Sequence, residues 1–160
     1  MPKIDIAKVP VDTVSLYPDP FWKETVGRER QRIGNAARLS QFGVNLTRLK
    51  PGTWSSQRHW HRNEDEFIYI VSGEVVLRED AGETVLKPGD CAGFKAGSTD
   101  GHCLINRTQQ DVLYLEVGTR AKTEHTTYSD IDMQVRRDET GAVVYSRKSN
   151  GEPYPKRQGA

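Results

Sequence analysis

Apolar and polar residues alternate at period two along Val44-Asn45-Leu46-Thr47-Arg48-Leu49, and Lys50-Pro51-Gly52 then turns the chain. Such alternation marks a strand with one face buried. The β-branched and aromatic run Glu66 to Val71, closed by Ser72-Gly73, reads as a returning strand. Glu74 to Arg78, Glu83 to Leu86, Cys91 to Phe94, His102 to Arg107 and Asp111 to Val117 follow, separated by Ala81-Gly82, Pro88-Gly89, Gly97 and Gln109-Gln110. Evenly spaced short strands predict an all-β fold of antiparallel sheets closing as a jelly-roll barrel over residues 41–120. Residues 1–40 read as an N-terminal arm with one edge strand, because Pro18 and Pro20 each remove a backbone donor and forbid a continuous helix. Residues 121–160 read as a polar C-terminal arm whose apolar pieces are Tyr128 to Met133 and Ala142 to Tyr145, with the last few residues disordered.

The candidate chemistry sits inside the predicted barrel. His59 and His61 are two apart, so on an extended strand both imidazoles leave one face as a chelating pair. Glu66 stands at the mouth of the next strand, sharing parity with Ile68 and Ile70, whereas Glu64 and Asp65 fall in the turn. A third histidine, His102, opens a later strand. Gln57 has the parity of His59 and His61, which aims its amide at the same cavity, either toward a bound ligand or toward a neighbouring polar group. Asn106 shares a face with His102 and reads as a support that orients a ligand. Trp54, Tyr69, Phe94 and Tyr114 line the pocket or fill the core. His125 reads as a surface residue, and Cys103 points away from the face of His102.

These residues resemble a known family. Gly52, His59, His61, Glu66 and Gly73 match the first signature of the cupins, and Gly89, Gly97, His102 and Asn106 match the second, with Lys95 where the usual pattern has proline. The resemblance covers roughly Gly43 to Gly118. It implies a double-stranded β-helix in which His59, His61, Glu66 and His102 hold one divalent metal, with Gln57 and Asn106 beside it. Three imidazoles and a carboxylate suit Zn, Mn, Fe or Ni, and ligand softness does not choose among them. Four protein ligands leave coordination positions open for water or substrate. The resemblance also implies that the C-terminal arm packs on the barrel or on a partner subunit.

Composition narrows the partners. Lys+Arg number 23 against Asp+Glu 22, so no global field gathers nucleic acid or an anionic membrane. The run Arg28-Glu29-Arg30-Gln31-Arg32 reads as a solvated or subunit-facing strand, since its acid breaks the charge. The longest apolar runs are far short of the roughly 20 residues of a membrane helix, and no secretion segment is apparent, which predicts a cytoplasmic protein with Cys91 and Cys103 as free buried thiols. The sequons at Asn45 and Asn106 then have no role. Isolated apolar pieces in both arms predict a homodimer joined through the sheet edge and the arms. The function expected is a metal-dependent enzyme acting on a small sugar, sugar acid or hydroxy acid, isomerase-like. A non-haem iron dioxygenase and a non-catalytic small-ligand sensor are the alternatives.

Overall fold

A computed structural model describes residues 3–157. Its strands are β1 (Val11–Asp12), β2 (Arg28–Gln31), β3 (Phe42–Leu49), β4 (His59–His61), β5 (Glu66–Ser72), β6 (Val75–Glu79) and β7 (Gly82–Leu86). They continue as β8 (Cys91–Phe94), β9 (Cys103–Ile105), β10 (Val112–Thr119), β11 (Glu124–Tyr128), β12 (Gln134–Arg137) and β13 (Val143–Ser146). The fold is all-β and antiparallel. One sheet has the order β1-β2-β3-β10-β5-β8. Facing it, the sheets β13-β12-β11-β4 and β7-β6-β9 are joined by a bridge between His59 and His102.

The alternation read from the sequence sets which side chains go between the layers. On β5, Ile68 and Ile70 are buried while Phe67, Tyr69 and Val71 stay outside. With Leu49, Val75, Leu77, Leu86, Leu104, Val112 and Tyr114 they form the barrel core. The turn after β5 needs glycine: Gly73 has φ +79°, and a Cβ there would lie 2.6 Å from the carbonyl oxygen of Asp111.

Residues 1–40 contribute β1 and β2 to the first sheet, and 121–160 contribute β11, β12 and β13 to the second. Their apolar residues pack on each other within the chain: Tyr17, Tyr128 and Met133 are buried against Phe21, Trp22, Tyr145 and Tyr154. Other apolar residues of the arms, among them Val11, Leu16, Val26, Val143 and Val144, stay exposed. β11 and β12 were not expected as strands, because EHTTY and QVRR carry no apolar alternation. β9 is shorter than the predicted His102 to Arg107, and Cys91 is exposed, whereas Cys103 is buried with its thiol pushed up to about 12 by burial. The final residues expected to be disordered, 158–160, lie outside the described residues. No helix among the described residues is long and apolar enough to cross a membrane.

Arg58, just before β4, ties three connections together. Its guanidinium donates to Asp130 at 2.7 and 3.0 Å, to the Gly101 carbonyl at 3.3 Å and to Asp80. The hydrogen bonds from Arg58 hold the Asp130 carboxyl below its usual 3.8. A carboxyl lowered in the folded protein stabilises above its unfolded pKa and loses that contribution as pH falls through the folded value. Because the Asp130 side chain is 36% exposed, screening keeps the effect modest. Arg58→Ala is expected to lower the urea midpoint near pH 6, and the gap to the parent protein should narrow as pH drops below about 4, following Asp130. A gap that widens on acidification would contradict this.

Candidate metal centre

β4 is three residues long and sits between two partners. It pairs with β11 (Tyr128 with His59, Thr126 with His61), and on its other side His59 exchanges backbone hydrogen bonds with His102 at 2.8 and 3.1 Å. Residues opposed in this way share a face, so three imidazoles converge: the His59 ring lies 4.8 Å from that of His61 and 4.9 Å from that of His102. Glu66, first residue of β5, reaches them from the opposite sheet.

The ligating atoms form one cluster. His59 Nε2 and His61 Nε2 are 3.0 Å apart, and Glu66 Oε2 lies 3.1 Å from His102 Nε2, 3.5 Å from His61 Nε2 and 4.0 Å from His59 Nε2. Two nitrogens bound at about 2.1 Å and at right angles around one ion would be about 3.0 Å apart, so His59 and His61 with Glu66 fit a small divalent cation. His102 joins this group through Glu66, its donor atoms lying outside the set whose members are all within 4.8 Å of one another. The outer contacts fit as well. His59 Nδ1 donates to the Gln57 carbonyl at 2.9 Å, which leaves Nε2 as a bare lone pair. His61 Nδ1 is 3.2 Å from Thr126 Oγ1 and 3.7 Å from Glu124 Oε1. Phe94 stacks on His102 with ring centres 3.5 Å apart, and His102 Nδ1 is buried without a partner.

The electrostatics point the same way. Burial, reinforced by His61 and His102, holds His59 well below its ordinary value, so its imidazole is neutral. Burial also pulls His61 down, but hydrogen bonds to Glu124 and Glu66 outweigh it and raise the group to about 10. Burial opposes ionisation of Glu66, yet His102 and His61 bring it well below the usual carboxylate range. In the metal-free site a protonated His61 is thus the counter-charge of Glu66 and Glu124, a place that a divalent cation would take on displacing the proton.

The structure brings together His59, His61, Glu66 and His102, and separates from them the two further residues singled out in the sequence. Gln57 is buried with its amide donating to the Phe21 carbonyl at 2.9 Å and to Glu24 at 3.0 Å. It lies in the bent segment before β4, so strand parity does not extend to it and it faces the N-terminal segment instead of the cavity. Asn106 lies just past β9, where its amide donates to the Leu49 and Gln110 carbonyls and its oxygen accepts from Thr108. It is a turn lock, not a support of the cluster. His125 is half-buried and bonded to Gln134.

Glu124 was missed. It is buried, accepts from the backbone of Arg62 and Asn63, and makes with His61 and Glu64 a second convergent group beside the first. Its only sequence signal was a carboxylate inside a polar segment.

Above the cluster opens a cavity of about 400 Å³. Its floor is the four clustered side chains with Ile68, Phe94 and Leu104, and its walls carry Tyr17 and Tyr114 together with Arg28, Arg30, Arg120 and Arg137. Those arginines, absent from the motif reading, supply the cations of the site. Arg58 is engaged by Asp130, and Lys95 is exposed beside a separate recess of about 200 Å³.

A cupin domain family model matches residues 45–118. Comparison of the sequence with curated proteins finds no match. Among solved structures, that of a cupin superfamily sugar phosphate isomerase from Silicibacter pomeroyi is 44% identical, with TM-score 0.91, covering 94% of this chain and 96% of that one. A putative sugar phosphate isomerase from Acidithiobacillus ferrooxidans is 24% identical with TM-score 0.72 over 77% and 78% of the two chains, and a predicted oxalate decarboxylase from Thermotoga maritima is 20% identical with TM-score 0.61 over 74% and 99%. Both of these share the fold.

His61→Ala is expected to remove stoichiometric divalent metal from the purified protein while the far-ultraviolet spectrum stays that of the parent. Glu124→Gln, which keeps the shape but weakens the hold on His61, should lower metal affinity about 10–100-fold in a chelator competition. Unaltered affinity in both variants would show that the cluster holds no ion.

Proposed function

This chain belongs to the cupin superfamily, and we propose that it is a metal-dependent isomerase of a small sugar or sugar phosphate. The observation that carries the reading is the convergence of three imidazoles and one carboxylate at the floor of a 400 Å³ cavity with arginines in its walls. The 44% identity to the Silicibacter sugar phosphate isomerase over nearly the whole chain supports the reaction class.

The residues divide the work by position. His59, His61, Glu66 and His102 would hold the ion. A divalent ion bound there would supply Lewis acidity, the chemistry that polarises a carbonyl and acidifies the C–H on the carbon next to it. Ile68, Leu104 and Phe94 close the floor with apolar surface, which limits the ligand to a small molecule and keeps bulk water from the far end. Thr126 and Glu124 fix the ring of His61, and the Gln57 carbonyl fixes that of His59.

The surface also favours a homodimer, the first sheet adding its outer face to the exposed apolar residues of the arms. The outer face of the first sheet sets Phe67, Tyr69 and Val71 beside Leu115 and Val117 of β10 and Leu46 of β3, in register. Phe67, Tyr69 and Val71 are 43%, 41% and 42% exposed. A flat apolar sheet face can pair with its own copy about a twofold axis.

Two outcomes are expected. With Mn(II) or Zn(II) under nitrogen the protein should interconvert an aldose phosphate and its ketose, lose the activity on chelation and regain it on adding metal; activity that appears only with Fe(II) and consumes oxygen would overturn the reading. In sedimentation the protein should run at about twice its 18.1 kDa chain mass, and Tyr69→Lys should shift it to the single-chain mass.

A further inference from the structure

Three of the five buried side-chain polar atoms that lack a hydrogen-bond partner among the described residues belong to one row. They are Arg30 Nε, Thr47 Oγ1 and Tyr114 OH. Arg30 of β2 pairs with Thr47 of β3, and Thr47 pairs with Tyr114 of β10, so the three side chains are cross-strand neighbours on the inner face of the first sheet. Thr47 is 0% and Tyr114 1% exposed. Buried polar groups are ordinarily satisfied, and each one left alone costs stability, so three orphans in a row call for an absent partner.

The neighbouring charges indicate what that partner is. Arg28 stands two residues before Arg30 and therefore on the same face of β2. It lines the cavity, donates to the Ser55 carbonyl at 2.6 Å and pairs with no carboxylate among the described residues. The other cavity arginines are occupied: Arg120 by Asn35 and the Leu39 carbonyl, Arg137 by Glu64 and the Ala121 carbonyl, and Arg32 by Asp12. Arg30 gives Nη2 to Glu116 at 3.2 Å, and its Nε has no partner. The unspent groups are thus N–H and O–H donors, beside a guanidinium with no counter-ion.

We propose that Arg28, Arg30 and Tyr114 form the receptor for an anionic group of the substrate, a phosphate or carboxylate, at the opposite end of the cavity from the metal cluster. This rests on the isomerase reading and deepens it by assigning the end of the substrate away from the reacting carbons. The spacing suits one small molecule bound at both ends: Tyr114 pairs with Ile70 of β5 and Glu116, which holds Arg30, with Ile68, so the receptor lies about 7–13 Å along that strand from Glu66. Arg28 and Arg30 supply charge and paired N–H groups, and the Tyr114 hydroxyl adds a donor held rigid by the core. Glu116 tethers Arg30 through Nη2, so the guanidinium is positioned before ligand arrives.

The test is binding, separate from turnover. Inorganic phosphate and gluconate are titrated into the metal-loaded protein by calorimetry, with the His61→Ala variant as a control in which an anion cannot bind through the metal. At least one of the two anions should bind both proteins, and which of them does identifies phosphate or carboxylate as the group received. Tyr114→Phe deletes only the orphan hydroxyl, so without ligand it should melt at the parent temperature or above, while its anion affinity falls about tenfold. A purely structural hydroxyl would give the opposite pattern, a lower melting temperature and unchanged affinity. Arg28→Gln should weaken the anion at least as much. Failure of both anions to bind, or an anion affinity in both Tyr114→Phe and Arg28→Gln that equals the parent's, overturns the subsite. Anion binding without isomerisation would keep the subsite and remove the isomerase, and isomerisation of a neutral sugar without anion binding would do the reverse.

Discussion

The backbone pair between His59 and His102 is the contact on which the rest of the architecture turns. His59 and His102 exchange both hydrogen bonds, and that one bridge joins the strands of the C-terminal segment to the β-hairpin sheet of the barrel. Because opposed residues share a face, the same bridge that closes the second layer also sets two imidazoles side by side. Fold closure and ligand geometry are therefore one constraint. Arg58 reinforces it from the preceding residue, gripping the Gly101 carbonyl just before His102 and the carboxylate of Asp130 just after β11.

The interior of this barrel is divided by chemistry. One end is filled by aliphatic side chains from both layers and needs no further partner. The other holds imidazoles, carboxylates, tyrosines and arginines, whose burial is costly unless each finds a counterpart. Within the cluster the counterparts are mutual apart from His102 Nδ1, with Glu66 shared among three histidines and Glu124 behind His61. Along the Arg30, Thr47 and Tyr114 row they are missing. The polar half of the barrel thus keeps buried groups without a partner among the described residues.

The terminal segments make that polar half. β2 brings Arg28 and Arg30 to the first sheet, and β11 brings Glu124 and Thr126 to the second, both outside the stretch that carries the histidine motif. Trp22, Tyr17 and Phe21 anchor the N-terminal segment against the C-terminal one, so the two segments brace each other across the site. Gln57 takes part in this bracing through Phe21 and Glu24.

Local alternation and turn residues determine a good deal in this protein from the sequence alone. The period of two across Val44 to Leu49 and Glu66 to Val71 is a property of the chain itself, and it assigns the buried face of β3 and β5 and the common direction of His59 and His61. What it cannot reach is any residue whose surroundings come from elsewhere in the chain. Parity fails at Gln57 because the backbone there is bent, and at Asn106 because the strand has already ended. β11 escaped detection because its inward residues Glu124 and Thr126 are polar, and they are polar because they face the cluster instead of the core. The arginines of β2 read as a solvated or subunit-facing strand by charge alone. Only the pairing of β2 with β3, and of β3 with β10, turns Arg28 and Arg30 inward, since the side of a strand that is buried is decided by what the sheet packs against.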